Sequence, residues 1–170
     1  MNVTIRTEAP QDFETIYNFV KVAFETAEVS DGTEQDFVNQ LRASENYIPE
    51  LALVAEMNDE IIGHIMLTKF EIQDQDQVFE TLLLAPLAVH LEYRKEGVGS
   101  ALVHRSFELA KQMGYHSAIL VGDPAYYSRF GFKTSTDFNI ICVNEIPAQY
   151  IQACELTEGA LTEVSGTIQF

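Results

Sequence analysis

The chain has 170 residues, 46% of them hydrophobic and 11% aromatic, which is enough for one domain with a core of its own. Its net charge of −16 excludes nucleic acid and anionic membrane as the main partner, because both require a basic footprint. Charges interrupt every apolar run before it reaches spanning length, and the first residues, MNVTIRTEAPQDFE, do not read as a secretory signal, so a cytoplasmic protein is expected.

Residues 2–7 alternate like a short strand. Pro10 suits the first turn of a helix, and Phe13, Ile16, Tyr17, Val20 and Phe24 follow on one helical face. SDGTEQDFVNQLR reads as a turn and a second short helix. LALVAEM and IIGHIMLTKFEI are β-rich runs that form a hairpin across Asn58 and Asp59. VFETLLLAPLAVH is apolar enough for a central strand. After it, Val98, Leu102, Leu109 and Met113 mark the buried face of a helix that stops near Gly114. SAILV is a strand of the kind buried on both faces. DPAYYSRF gives one or two helical turns ended by Gly131. NIICV and EVSGTIQF look strand-like, with a short helix expected around Ala148 to Cys154. No repeat or linker divides the chain, so residues 1–170 are expected as a single domain. The order predicts a mixed α/β fold, a sheet with helices on both faces.

Charge is not spread evenly. Residues 1–90 carry four bases against seventeen acids, and residues 134–170 carry five acids and no base. Between them, residues 91–133 carry six bases against four acids, and this segment contains the glycine-rich stretch YRKEGVGSALV. Cys142 and Cys154 lie in apolar surroundings without a C-x-x-C spacing, and the four histidines have no H-x-x-x-H spacing, so no metal site is expected.

The glycine-rich stretch opens a helix, where the first N–H groups have no intrahelical partner and the helix dipole is positive. Gly97 and Gly99 permit φ > 0 and remove side chains from the approach. The residues alone allow two readings: a turn built for geometry, or a nest for a phosphate or pyrophosphate rimmed by Arg94 and Lys95. No Lys-Ser/Thr pair follows, so it is not a P-loop, and Leu102 stands where a dinucleotide fingerprint needs glycine. Pro86 cannot donate to a ladder and marks an edge or a bulge. A bulge there would free backbone groups at Leu87 and Val89 for an extended amide-bearing ligand.

With these stretches together, the sequence resembles the GNAT superfamily of N-acetyltransferases. Arg94, Gly97 and Gly99 match that family's pyrophosphate signature, Gln/Arg-x-x-Gly-x-Gly/Ala. Tyr127, Arg129, Gly131 and Phe132 match its Tyr-x-Lys/Arg-x-Gly-Phe stretch after the next strand. The phrases LAPLAVH and GDPAYYSRFGF resemble one bacterial branch of predicted acetyltransferases. The resemblance implies a mostly antiparallel central sheet with a splayed strand pair. It also implies acetyl-CoA as cosubstrate and acyl transfer to a primary amine. The pyrophosphate would take the backbone N–H groups from Gly97 through Val98 and Gly99 to Ser100, with Arg94 and Lys95 beside it. Pantetheine amides would pair with Leu87 and Val89, and the thioester would lie near Tyr127, the candidate acid for the leaving thiolate.

Three features depart from the family's pattern. Leu83 stands where some members carry a basic glutamate, leaving Glu80 in the same strand, or a water relay, to take the amine's proton. Glu96 puts an acid in the anion loop. Leu91 replaces a common proline. The acidic surface suits a cationic acceptor, a small-molecule or peptide amine, and a homodimer is compatible with the sequence. The alternative is a non-catalytic acyl-CoA-binding sensor or partner module, and a third class is an α/β protein for another phosphate ligand.

Overall fold

A computed structural model describes all of residues 1–170, which form two compact units, Met1–Thr68 with Leu84–Leu109 and Lys69–Leu83 with Ala110–Phe170. No helix is long and apolar enough to cross a membrane.

The first unit begins with strand β1 (Thr4–Thr7) and helices α1 (Phe13–Phe24) and α2 (Glu34–Ala43). Strand β2 (Ala52–Met57), the first part of β3 (Glu60–Asp74), the end of β4 (Gln77–Val89) and helix α3 (Val98–Gln112) follow. The strands lie in the order β1-β2-β3-β4, with β1 and β3 antiparallel to β2. The β2–β3 turn places Asn58 at φ 51° and Asp59 at φ 64°, the left-handed pair a tight hairpin requires. Ile16, Val20 and Ala23 of α1 and Val38 of α2 pack on Ala52, Val54, Met66 and Ala88, so the apolar stripe read from spacing meets one sheet face. Helix α3 covers the opposite face. A Cβ on Gly63 would come within 2.8 Å of Leu102 and 3.0 Å of Val98, so only glycine lets α3 approach β3 this closely.

The second unit continues β3 and β4 through the turn at Gln75 and Asp76 and adds β5 (Ser117–Val121), short α4 (Pro124–Tyr127) and β6 (Lys133–Thr134). Strands β7 (Ile140–Cys142), β8 (Ile151–Glu155) and β9 (Gly166–Ile168) complete it. The order is β3-β4-β5-β8-β6, with β9 pairing both β3 and β7. The parallel ladder between β4 and β5 holds two pairs, Leu82 with Ala118 and Leu83 with Ile119. By contrast, β5 pairs with antiparallel β8 along its full length. A second core of Ile72, Ile119, Ile140, Ile151 and Ile168, flanked by Phe70, Phe79 and Phe138, sits under this sheet.

Two expectations need correction. The helix read over Ala148 to Cys154 is a single 3₁₀ turn at Ala148–Tyr150 followed by strand β8. Ala and Gln favour a helix locally, but pairing with β5 on one side and β6 on the other decides the state. Met113 is exposed, because α3 ends at Gln112 and Gly114 turns the chain away at φ 89°. Pro86 lies inside β4, three residues past Leu83, the last of its residues paired with β5, so it falls where that ladder has ended. Of the cysteines, Cys154 is buried and Cys142 half-buried, both free thiols.

Candidate functional site

The glycine-rich stretch lies in the first unit, between β4 and α3. After a 3₁₀ turn at Leu91–Tyr93 the chain turns through residues 94–97, with Lys95 at φ 68° and Gly97 at φ 85°. The first backbone bond of this helix runs from the Ala101 N–H to the Gly97 carbonyl at 3.0 Å. The N–H groups of Val98, Gly99 and Ser100 therefore have no intrahelical acceptor. A Cβ on Gly97 would meet nothing within 4 Å, so the loop's outer side is open. Val98 is buried and contributes through its backbone alone, while Lys95 and Glu96 are exposed. Three convergent N–H groups, a left-handed glycine and an exposed lysine fit a pyrophosphate.

Arg94, at the start of this loop, is bonded to protein atoms. Its guanidinium donates to the Ala23 carbonyl at 2.6 Å, to Thr26 Oγ1 at 3.0 Å and to the Val89 carbonyl at 3.3 Å. The side chain ties the end of α1 to the end of β4 and fixes the entry into the loop, with a cation on the last carbonyls of a helix, where the dipole favours it. Nothing in the local sequence reveals this link, because Ala23 lies 71 residues away. Leu87 and Val89 are half-buried on the last turnings of β4, and the Val89 carbonyl is the one held by Arg94. His90 stacks on Phe19 with ring centroids 6.4 Å apart, and its Nδ1 accepts from the Glu92 N–H at 3.3 Å.

Tyr127 belongs to the second unit. Asp123 caps α4 by accepting from the Ala125 N–H at 2.9 Å, and Gly131 ends the segment at φ 89°. Arg129 donates to the Tyr126 carbonyl at 2.8 Å and lies over the Tyr126 ring. The Tyr127 ring is edge-on to Tyr126 and to buried Phe132, with centroids 4.9 and 5.9 Å away. Its other edge lies over Gly122, where a Cβ would stand 2.6 Å from the ring. Phe132 thus packs on the Tyr127 ring and Arg129 on the Tyr126 ring, while Gly131 ends the segment in the left-handed region. Burial pushes the Tyr127 phenol well above its ordinary value, helped by Tyr126 and Asp123, so it keeps its proton across the physiological range. Glu80 is exposed near the start of β4, whereas Thr81 to Leu84 are buried.

A charged group that the sequence reading missed lies in the first unit. The Glu8 side chain is fully buried, and Arg42 holds its two oxygens at 3.1 and 2.7 Å. Tyr47 adds a bond at 3.0 Å, and buried His64 brings Nε2 to 3.4 Å. Burial would raise this carboxyl, but its partners outweigh that and bring it to about 2. At 3.4 Å the imidazole is beyond good hydrogen-bond distance, so Arg42 carries most of the compensation. A glutamate beside the first strand and an arginine 34 residues on give no periodic signal.

A model of the Acetyltransferase (GNAT) domain matches residues 4–135, parts of both units. The chain belongs to the GNAT acetyltransferase family. It is 30% identical over 167 residues to the uncharacterized N-acetyltransferase YhbS of Escherichia coli K12, covering 98% of this chain and 95% of that one. A second Escherichia coli relative, the uncharacterized N-acetyltransferase YjhQ, is 34% identical over 100 residues, 59% of this chain and 55% of its own. The crystal structure of YhbS in complex with CoA superposes with a TM-score of 0.86 at 28% identity, covering 100% of this chain and 90% of that one. A GNAT family acetyltransferase from Brucella melitensis in complex with acetyl-CoA gives 0.74 at 28% identity, covering 92% and 89%.

Proposed function

We propose that the chain transfers the acetyl group of acetyl-CoA to a primary amine in one step, with both substrates bound. The observation that carries this reading is the set of unpaired N–H groups at Val98, Gly99 and Ser100 behind left-handed Gly97, a fit for the carrier's pyrophosphate. The CoA and acetyl-CoA complexes of its relatives support the choice of ligand. Lys95 adds charge at the rim, Arg94 fixes the loop's entry, and Leu87 and Val89 offer strand backbone to the carrier's amides.

In the reaction the amine nitrogen bonds to the thioester carbonyl carbon, the C–S bond breaks, and the sulfur leaves as thiolate. Tyr127, protonated at neutral pH, supplies the proton to that sulfur. The amine loses its own proton to water or to exposed Glu80. A net charge of −16 favours cationic acceptors, small amines or lysine-bearing peptides. One observation favours a non-catalytic acyl-CoA-binding module instead: Leu83, where some family members carry a basic glutamate, is apolar and buried.

Thiol release from acetyl-CoA across a panel of amines separates the two readings. The enzyme reading expects amine-dependent release, with Tyr127→Phe lowering kcat by about tenfold or more. Stabilisation by acetyl-CoA in a thermal shift without release on any amine would favour the binding module. An unchanged kcat in Tyr127→Phe would return Tyr127 to a packing role.

A further inference from the structure

An open groove of about 520 Å³ lies wholly within the first unit, within the volume range of sites that hold ligands or short peptide segments. Part of its lining is apolar. Val22 of α1 is 48% exposed and Leu91, in the link from β4 to α3, is 46% exposed, beside half-buried Phe19. Two large exposed apolar side chains sharing one concavity are costly to leave in water. The rest is largely acidic: Asp59 and Glu60 at the β2–β3 turn are exposed, Glu56 is half-buried and Asp12 is buried. Arg6 is the one Lys or Arg lining the groove, and it is shared between Asp12 and Glu56 at 2.7 Å each. Four carboxylates therefore face one guanidinium, which leaves a local charge of about −3.

The apolar and acidic parts of the lining together select the occupant. A second copy of a chain at −16 would bring like charge to the acidic part. A free polyamine would answer the carboxylates but leave Val22 and Leu91 uncovered. A phosphorylated carrier would be repelled. We infer that this groove docks a basic, amphipathic peptide segment of a partner protein, with an apolar side chain on Val22 and Leu91 and lysine or arginine against Asp59 and Glu60. This concerns binding alone and stands whether or not the chain transfers acetyl groups.

Fluorescence anisotropy with a labelled peptide of alternating leucine and lysine tests it, beside an all-lysine peptide of the same length. Glu60→Lys, Val22→Asp and Leu91→Asp, each checked for an unchanged thermal transition, are expected to weaken leucine–lysine binding by about tenfold or more. Glu158→Lys, an equal charge change at an exposed site in the second unit, is expected to weaken it less than about twofold. The inference is overturned if Glu158→Lys weakens binding as much as Glu60→Lys, if all-lysine binds as tightly, if Val22→Asp and Leu91→Asp change nothing, or if the peptide does not bind.

Discussion

Replacing Glu8 by glutamine removes the one negative charge that neutralises Arg42, whose side chain is only 9% exposed. A carboxyl held at about 2 against an ordinary 4.5 stabilises the fold by ~3 kcal/mol at neutral pH. Breaking a buried pair from one side costs about 3–5 kcal/mol, the same order. The sign follows from the downward shift. The contribution is complete above pH 4.5, shrinks as pH falls below it, and is lost once pH passes about 2. By pH 3.5 roughly 1.4 kcal/mol of it has gone. Urea unfolding of the native protein and of Glu8→Gln, followed by circular dichroism at pH 7 and pH 3.5, reads the difference directly. The gap is expected near 3 kcal/mol at pH 7 and smaller by about a third or more at pH 3.5. A gap below about 1 kcal/mol at pH 7, or one equal at both pH values, would refute the assignment of a buried, charged Glu8.

Two further substitutions probe the loop and the tyrosine. Arg94→Ala removes three bonds that tie α1 to β4, so the protein should lose about 1–2 kcal/mol and bind acetyl-CoA more weakly, read by thermal unfolding with and without ligand. An Arg94→Ala protein of native stability would show that these bonds do not hold the loop. Gly122→Ala puts a methyl group within 2.6 Å of the Tyr127 ring and forces it to move. Steady-state kinetics should show kcat lowered about tenfold with acetyl-CoA affinity kept, and full activity would mean that the ring position does not matter.

Helix α1 was legible because its apolar residues recur at helical spacing and face a single sheet surface. The glycine-rich loop was legible as a turn or a nest at a helix start, and the resemblance to the family's motif chose between the two. The Tyr-x-Arg-x-Gly-Phe stretch was legible by its resemblance to the family's motif, and the structure adds that Phe132 packs edge-on to Tyr127 while Arg129 bonds to Tyr126. Strand β8 was not legible, since Ala, Gln and Cys carry no strand signal and its state comes from β5 and β6.

Sequence by itself determined most elements up to Gly131, from hydrophobic spacing and turn residues, and pointed to the family through the resemblance of two short motifs. Only the tertiary structure decided that Arg94 braces α1, that Glu8 is buried on Arg42, and that Val22 and Leu91 share one groove with Asp59 and Glu60. Those pairings join residues tens of positions apart, and such pairs meet only after the strands have chosen their neighbours.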